Sequence, residues 1–242
     1  MKYALVTGGS RGIGRAISLS LSRMQYHVII NYVNNDEEAA ITLQQIESEG
    51  NQASLMKFDV ASLEQVESVL GTWMEENPDN LIEVLVNNAG IRKDALLMWM
   101  KDEEWFDVMN TNMNSFFYIT RKLIKNMLVN RYGRIINIVS LSGIKGLPGQ
   151  VNDSAAKAAV IGATKALAQE VGKKNVTVNA VAPGYIRTDM TKDLDEKALK
   201  AMIPMDRFGK PEEVSELVAF LASDKASYLT GEVISVNGGL YT

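Results

Sequence analysis

The chain has 242 residues, of which 46% are apolar and 22% charged, with a net charge of −4 and no cysteine. Such a composition is that of an ordinary soluble globular protein; it rules out disulfides and thiolate metal sites and suits a reducing cytoplasm. The acidic balance disfavours nucleic acid, whose phosphates call for a basic face, and no stretch approaches the roughly 20 apolar residues of a membrane span.

Apolar runs of strand length alternate with longer segments of helical period. The opening "MKYALVTGGSRGIG" has too short an apolar run for a secretory signal and passes at once into glycines. A strand "YALVT" (3–7) leads to a helix over 12–24, a second strand "HVIINY" (27–32) and a helix over 36–49. The strand "ASLMKF" (53–58), a helix over 62–76, the strand "IEVLVNN" (82–88) and a long helix over 102–130 come next. Then follow "RIINIVS" (134–140), a helix over 152–172 and "VTVNAVA" (176–182). Two shorter helices near 191–203 and 211–222 and a last strand "EVISVN" (232–237) complete the series. Seven strands separated by helices imply right-handed crossovers and a parallel sheet, with the apolar strands buried on both faces. No linker, repeat or low-complexity block interrupts the pattern. The expectation is one α/β domain over 1–242, a doubly wound, Rossmann-like fold with helices on both faces of the sheet.

The segment "TGGSRGIGRAI" (7–17) sits between the first strand and first helix, where a dinucleotide-binding glycine loop must lie. Gly8, Gly12 and Gly14 permit a tight turn and close approach of backbone to a pyrophosphate, whose charge the helix N-terminus stabilises. The alternative is a glycine-rich turn without a ligand. The spacing, with three residues between Gly8 and Gly12, departs from the common Rossmann fingerprint and resembles the short-chain dehydrogenase/reductase family. Further pieces of that pattern follow in order. "NNAG" (87–90) ends the fourth strand, Asn112 lies in the long helix, and Ser140 closes the fifth strand. Lys157 stands on the next helix and "PGYIRT" (183–188) follows the sixth strand.

Along its whole length, including "DEEWFDVMNTN" (102–112) and "YLTGEVISVNGG" (228–239), the chain most resembles the 3-ketoacyl-acyl-carrier-protein reductases. The resemblance implies transfer of a hydride from a nicotinamide to the 3-keto group of an acyl thioester, in fatty-acid or polyketide-like synthesis. It also implies a homotetramer with the two long helices and the final strand at its interfaces. Asp59 and Val60 would contact the adenine, Asn87 and Gly90 the adjacent ribose region, and Ile186 and Thr188 the nicotinamide carboxamide and pyrophosphate. Ser10, Ile13, Asn31, Ala89, Pro183 and Gly184 complete the implied cofactor set, with Lys157 on the nicotinamide ribose. The second strand ends "INYVNN" with no carboxylate before Asp36, so nothing there repels a 2′-phosphate, and Arg11 supplies a positive charge. NADPH is therefore expected rather than NADH, the alternative being that Arg11 is a solvated loop residue.

Reducing a ketone needs donors around the carbonyl oxygen and an acid to protonate it. In the family these are a serine, a tyrosine and a lysine one helical turn after the tyrosine, with an asparagine anchoring a proton-supplying water chain. Ser140, Lys157 and Asn112 fill three roles, but the tyrosine position is Asp153, in "QVNDSAAKAAV" (150–160). Asp153 and Lys157, four apart on a helix, share one face. Tyr185, in "PGY", is the nearest other phenol by motif, and the family's geometry sets it beside the nicotinamide. An aspartate, with a reference pKa of about 3.9 against about 10 for tyrosine, is a carboxylate that accepts hydrogen bonds and donates none. Loss of a positioned acid costs about 10²- to 10⁴-fold.

The bland reading makes Asp153 an exposed residue favoured by the dipole in the first turn of a helix. The intact surroundings point instead to a point variant of an active reductase, made to trap a complex or test the acid, with a natural pseudo-reductase second. A non-catalytic nucleotide-binding subunit and a reductase of another carbonyl substrate, such as a sugar, steroid or small diketone, are the functional alternatives. Arg131, Lys173 and Lys174 offer positive charge for an acidic acyl carrier protein, or are ordinary cationic helix ends. "ALLMWM" (95–100) either flanks an acyl pocket or serves core or subunit packing. The single His27 lacks companions for a metal or a serine triad and reads as structural.

Overall fold

The computed structural model describes residues 1–242 as one α/β domain built on a seven-stranded, wholly parallel sheet. The strands are β1 (Lys2–Val6), β2 (His27–Tyr32), β3 (Ala53–Lys57), β4 (Leu81–Asn87), β5 (Gly133–Ile138), β6 (Val176–Pro183) and β7 (Val233–Val236), in the spatial order β3-β2-β1-β4-β5-β6-β7. The helices are α1 (Gly12–Arg23), α2 (Asp36–Ser48), α3 (Leu63–Glu76), α4 (Asp102–Met109), α5 (Ser115–Asn130), α6 (Ser142–Lys145), α7 (Val151–Val171), α8 (Glu196–Lys200) and α9 (Pro211–Ala222).

Strand alternation divides the core between the two faces of the sheet. From β1, Ala4 and Val6 join Ile17 and Leu21 of α1 and Val214 and Val218 of α9 on one side. Leu5 points the other way, with Val66 and Leu70 of α3 and Leu123 and Met127 of α5. These side chains are essentially solvent-free, each of the larger ones stabilising the fold by roughly 1.5–3 kcal/mol relative to exposure. The chain runs outward from β1 to β3 and then returns to place β4 on the other side of β1. The resulting switch point opens a crevice at the carboxyl ends of β1 and β4, where such folds bind ligands.

Three expectations need correction. The long helix is interrupted by a π turn over Asn110–Asn114, so that Asn112 lies on a widened turn between α4 and α5. The fifth strand ends at Ile138, and Ser140 stands two residues beyond it, where the chain turns into the short α6. In place of one helix over 191–203 there is a 3₁₀ turn at Asp189–Thr191 and then α8. Asp195 fixes the start of α8 by accepting from the Ala198 N–H at 3.1 Å, and Pro204 lies shortly after its end.

Candidate active site

The glycine loop after β1 is held by its neighbours. The Asn88 amide donates to the carbonyls of Thr7 and Gly8 at 2.9 and 3.1 Å, and Thr7 Oγ1 accepts from the N–H groups of Asn88 and Ala89, both at 2.9 Å. Gly8 has φ +59°, and a Cβ there would lie 3.1 Å from the Ala89 Cα. A Cβ on Gly14 would sit 2.0 Å from the Gly8 carbonyl oxygen, so only glycine fits this crossing of loop and helix. Neither Thr7 nor Asn88 was among the expected site residues. Asn88 belongs to the quoted "NNAG", but its partners become visible only when β1 and β4 lie side by side.

The start of α1 suits an anion. Asn35 caps α2 and Ser62 caps α3, whereas Arg11 at the N-cap of α1 makes no side-chain cap, and the first turn carries no acid. The helix therefore presents open N–H groups and its positive pole to the crevice, the donor set a pyrophosphate requires. Arg11 is exposed and forms no ion pair, while Arg15 is tied to Glu38, Thr42 and the Ser10 carbonyl. Of the three acids that follow β2, Asp36 is engaged with Lys57 and Tyr32 and Glu38 with Arg15, while Glu37 is exposed and unpaired. Thr188 meets Gly12 across the loop, its Cγ2 lying 3.3 Å from where a Cβ would be.

Several expected cofactor contacts face the protein instead. Asn31 is buried, its amide nitrogen donating to the Met56 and Phe58 carbonyls and its oxygen accepting from the Gly8 N–H at 3.2 Å, so it supports the loop from behind. Val60 and Ile186 place their side chains in the two core clusters, leaving only backbone groups for a ligand. Gly184 is required by packing, since a Cβ would approach the Asn237 Cβ to 2.8 Å. Pro183 is buried at the end of β6, Ser10 is buried, and Ile13 packs on the core. Asp59 is partly exposed beyond β3 and accepts from the Ala61 N–H. Asn87 donates to Asn137 at 2.8 Å and Thr120 at 3.2 Å, and its own amide oxygen is buried without a partner.

At the other end of the crevice, Gly90 lies against Asn112 and Lys157, with the place of a Cβ 3.3 Å from Asn112 Oδ1 and 3.6 Å from Lys157 Nζ. The structure thus brings Asn112, Ser140, Asp153 and Lys157 to one place. Asp153 is only 9% exposed, which corrects the reading of it as a solvated first-turn acid. Its two oxygens are both taken: Oδ1 accepts from Asn112 Nδ2 at 2.8 Å and Oδ2 from the Ser142 hydroxyl at 2.6 Å. Asn112 is itself fixed by two bonds to the backbone of Ile91. Lys157, 8% exposed, turns its ammonium to the Ile138 carbonyl at 2.9 Å and makes no ion pair with Asp153. Burial pushes the Lys157 ammonium below the usual lysine range, and the negative charge of Asp153 opposes that shift. Ser140 Oγ accepts from the Ser142 N–H at 3.1 Å and donates to no protein group, which leaves its hydroxyl free to donate to a ligand.

Ser142 and Asn152 are the residues that the sequence did not reveal here. Asn152 pins the start of α7 by donating to the carbonyls of Lys93 and Glu104 and accepting from the Asp153 N–H. Tyr185 supplies no phenol to this cluster, being stacked on Phe208 at 5.2 Å. His27 packs on Tyr3 and bonds Ser54 at 3.1 Å, with burial lowering its pKa, as suits a structural residue.

Two surface features accompany the cluster. The 95–100 segment is not core: Met98 is 78% and Trp99 66% exposed, and Ala95 donates to the Gly149 carbonyl just before α7. Arg131, Lys173 and Lys174 form one exposed group, in which Arg131 reaches the Lys173 carbonyl at 3.4 Å. A cavity of about 650 Å³ lined by Ile144, Ile161, Val233 and Tyr241 includes none of the four clustered side chains. No helix is long and apolar enough to cross a membrane.

A family model described as enoyl-(acyl carrier protein) reductase matches residues 8–241. The chain is 45% identical to a 3-oxoacyl-[acyl-carrier-protein] reductase of Staphylococcus epidermidis, over 99% of both chains. It is 47% identical to one of Pseudomonas aeruginosa (99% and 97%) and 44% to one of Synechocystis sp. (99% and 96%). Among solved structures, one provisionally assigned as a gluconate dehydrogenase from Agrobacterium tumefaciens superposes with a TM-score of 0.94 at 32% identity, over 99% of this chain and 95% of that one.

Proposed function

The chain belongs to the short-chain dehydrogenase/reductase family, and on that premise we propose that it is built as an NADPH-dependent 3-ketoacyl-acyl-carrier-protein reductase whose turnover is impaired by Asp153. The observation that carries this reading is the cluster of Ser140, Asn112 and Lys157 with a carboxylate in place of a phenol. When bound, the nicotinamide supplies a hydride to the carbonyl carbon. The open N-terminus of α1 would hold the pyrophosphate beside Thr188, and Arg11, which is exposed and unpaired, would meet a 2′-phosphate. Lys157 holds the nicotinamide ribose. Ser140 donates to the substrate carbonyl oxygen and is the one hydroxyl of the cluster with its proton available. Asp153 has both oxygens engaged by Asn112 and Ser142 and offers no phenol-like donor to the substrate oxygen.

In this reading the chain is an active reductase changed at one position. It acts in the cytoplasm as a homotetramer, with the exposed Phe106 of α4 and Phe117 of α5 and the edge strand β7 at its interfaces. The Arg131, Lys173 and Lys174 group receives an acidic acyl carrier protein, and the exposed Leu96–Trp99 segment flanks the acyl chain. A second reading, a natural non-catalytic NADP-binding subunit, draws support from the full partnering of the Asp153 carboxylate, which an accommodated residue has and a newly placed one need not have.

The test is Asp153→Tyr assayed with acetoacetyl and crotonyl thioesters, because the matching family model names enoyl reduction and the curated relatives keto reduction. NADPH oxidation restored with the acetoacetyl substrate alone supports the ketoreductase. Restoration with crotonyl thioester alone moves the function to enoyl reduction, and nucleotide binding without turnover on either selects the non-catalytic subunit.

A further inference from the structure

Resting on the reading of the crevice as a nicotinamide dinucleotide site, we propose that Asp153 gives this chain a preference for the oxidised form of the cofactor over the reduced one. The glycine loop and the open end of α1 would fix a pyrophosphate at the middle of the crevice. The adenosine half then lies toward the end of β2, as in dinucleotide-binding folds generally, which sends the nicotinamide half toward Gly90, Lys157 and Asp153 beyond β4 and β5. The oxidised ring carries a positive charge that the reduced ring lacks, and the two forms are otherwise nearly the same ligand. A fixed charge beside the ring therefore changes the ratio of their affinities.

With tyrosine at position 153, the cluster would hold one ionised group, the Lys157 ammonium, which disfavours the oxidised ring. The carboxylate of Asp153 adds an opposing charge that favours the oxidised ring. It is 9% exposed and is held by Asn112 and Ser142 rather than by a counter-ion, since Lys157 Nζ is bonded to the Ile138 carbonyl. Its field is thus little screened by water and not neutralised by direct pairing. A unit charge several ångströms from the ring in such surroundings shifts the affinity ratio by about ten-fold or more.

The experiment measures dissociation constants for NADP⁺ and NADPH, by calorimetry and by nicotinamide fluorescence, on the unaltered chain, Asp153→Asn and Ser142→Ala. Asp153→Asn keeps the shape of the network, because Asn112 can still donate to the amide oxygen and the Ser142 hydroxyl can turn to accept. The ratio of NADPH to NADP⁺ dissociation constants is expected to fall about ten-fold or more in Asp153→Asn and to stay within about two-fold in Ser142→Ala, which retains the charge. Equal weakening of both forms by Asp153→Asn, or a ratio that does not move, overturns the inference while leaving the nucleotide site intact. A chain that binds neither form overturns the inference together with the reading it rests on.

Discussion

Ser142→Ala isolates the most unusual element of the site, a buried hydroxyl spent on a buried carboxylate. The bond from Ser142 Oγ to Asp153 Oδ2 is 2.6 Å long and Ser142 is 1% exposed, so removing the hydroxyl leaves one buried carboxylate oxygen without its donor. A hydrogen bond to a charged group contributes about 1.5–3 kcal/mol. Taking about 2 kcal/mol, at about 2–4 °C per kcal/mol for a domain of this size, Tm should fall by about 4–8 °C. In the Asp153→Tyr background, where the carboxylate is gone, the same change should cost less than about 0.5 kcal/mol, giving a coupling of about 1.5 kcal/mol. Thermal and urea unfolding of the four proteins supply the cycle. A Ser142→Ala cost that is the same in both backgrounds refutes the claim that Asp153 is integrated into a buried network.

Gly14→Ala should weaken dinucleotide binding by at least about ten-fold, because its Cβ meets the Gly8 carbonyl at 2.0 Å. Gly71→Ala, whose Cβ meets only the flexible end of Lys122 at 3.3 Å, should leave binding unchanged; fluorescence titration separates the two. Glu213 is held down to about 2 by the Arg207 guanidinium and then by the Lys210 N–H. Its folded-state pKa lies below its ordinary value of 4.5, so its stabilisation is complete above that pH and is lost as pH falls toward 2. Glu213→Gln should therefore lower Tm modestly at pH 7, the pair being over a third exposed, and the difference should vanish in acid; a pH-independent difference contradicts the assignment.

The doubly wound fold was legible because each of its signals is local. Strand-length apolar runs and glycines at strand ends need no knowledge of partners, and the alternation of β1 between two cores follows from geometry alone. The site was legible in part. Asn112, Ser140, Asp153 and Lys157 are picked out by the family resemblance, and the fold brings them together. The π turn that presents Asn112 was hidden, because the pairing of the Asn112 amide with Ile91 that accompanies it is tertiary and leaves no local signal. Ser142 was hidden for the same reason: a serine two residues from Ser140 has no signature until α6 and α7 pack together. Asn31 and Val60 show the converse, positions beside a ligand crevice whose side chains the protein itself consumes.

NADPH oxidation by the unaltered chain with an acetoacetyl thioester, set beside Asp153→Tyr under the same conditions, tests the central claim most directly. The unaltered chain should turn over at least about 100-fold more slowly than the tyrosine variant while still binding the nucleotide. Equal and rapid oxidation by both would contradict the account, since a cluster without a phenol would then be protonating an alkoxide as well as one that has it.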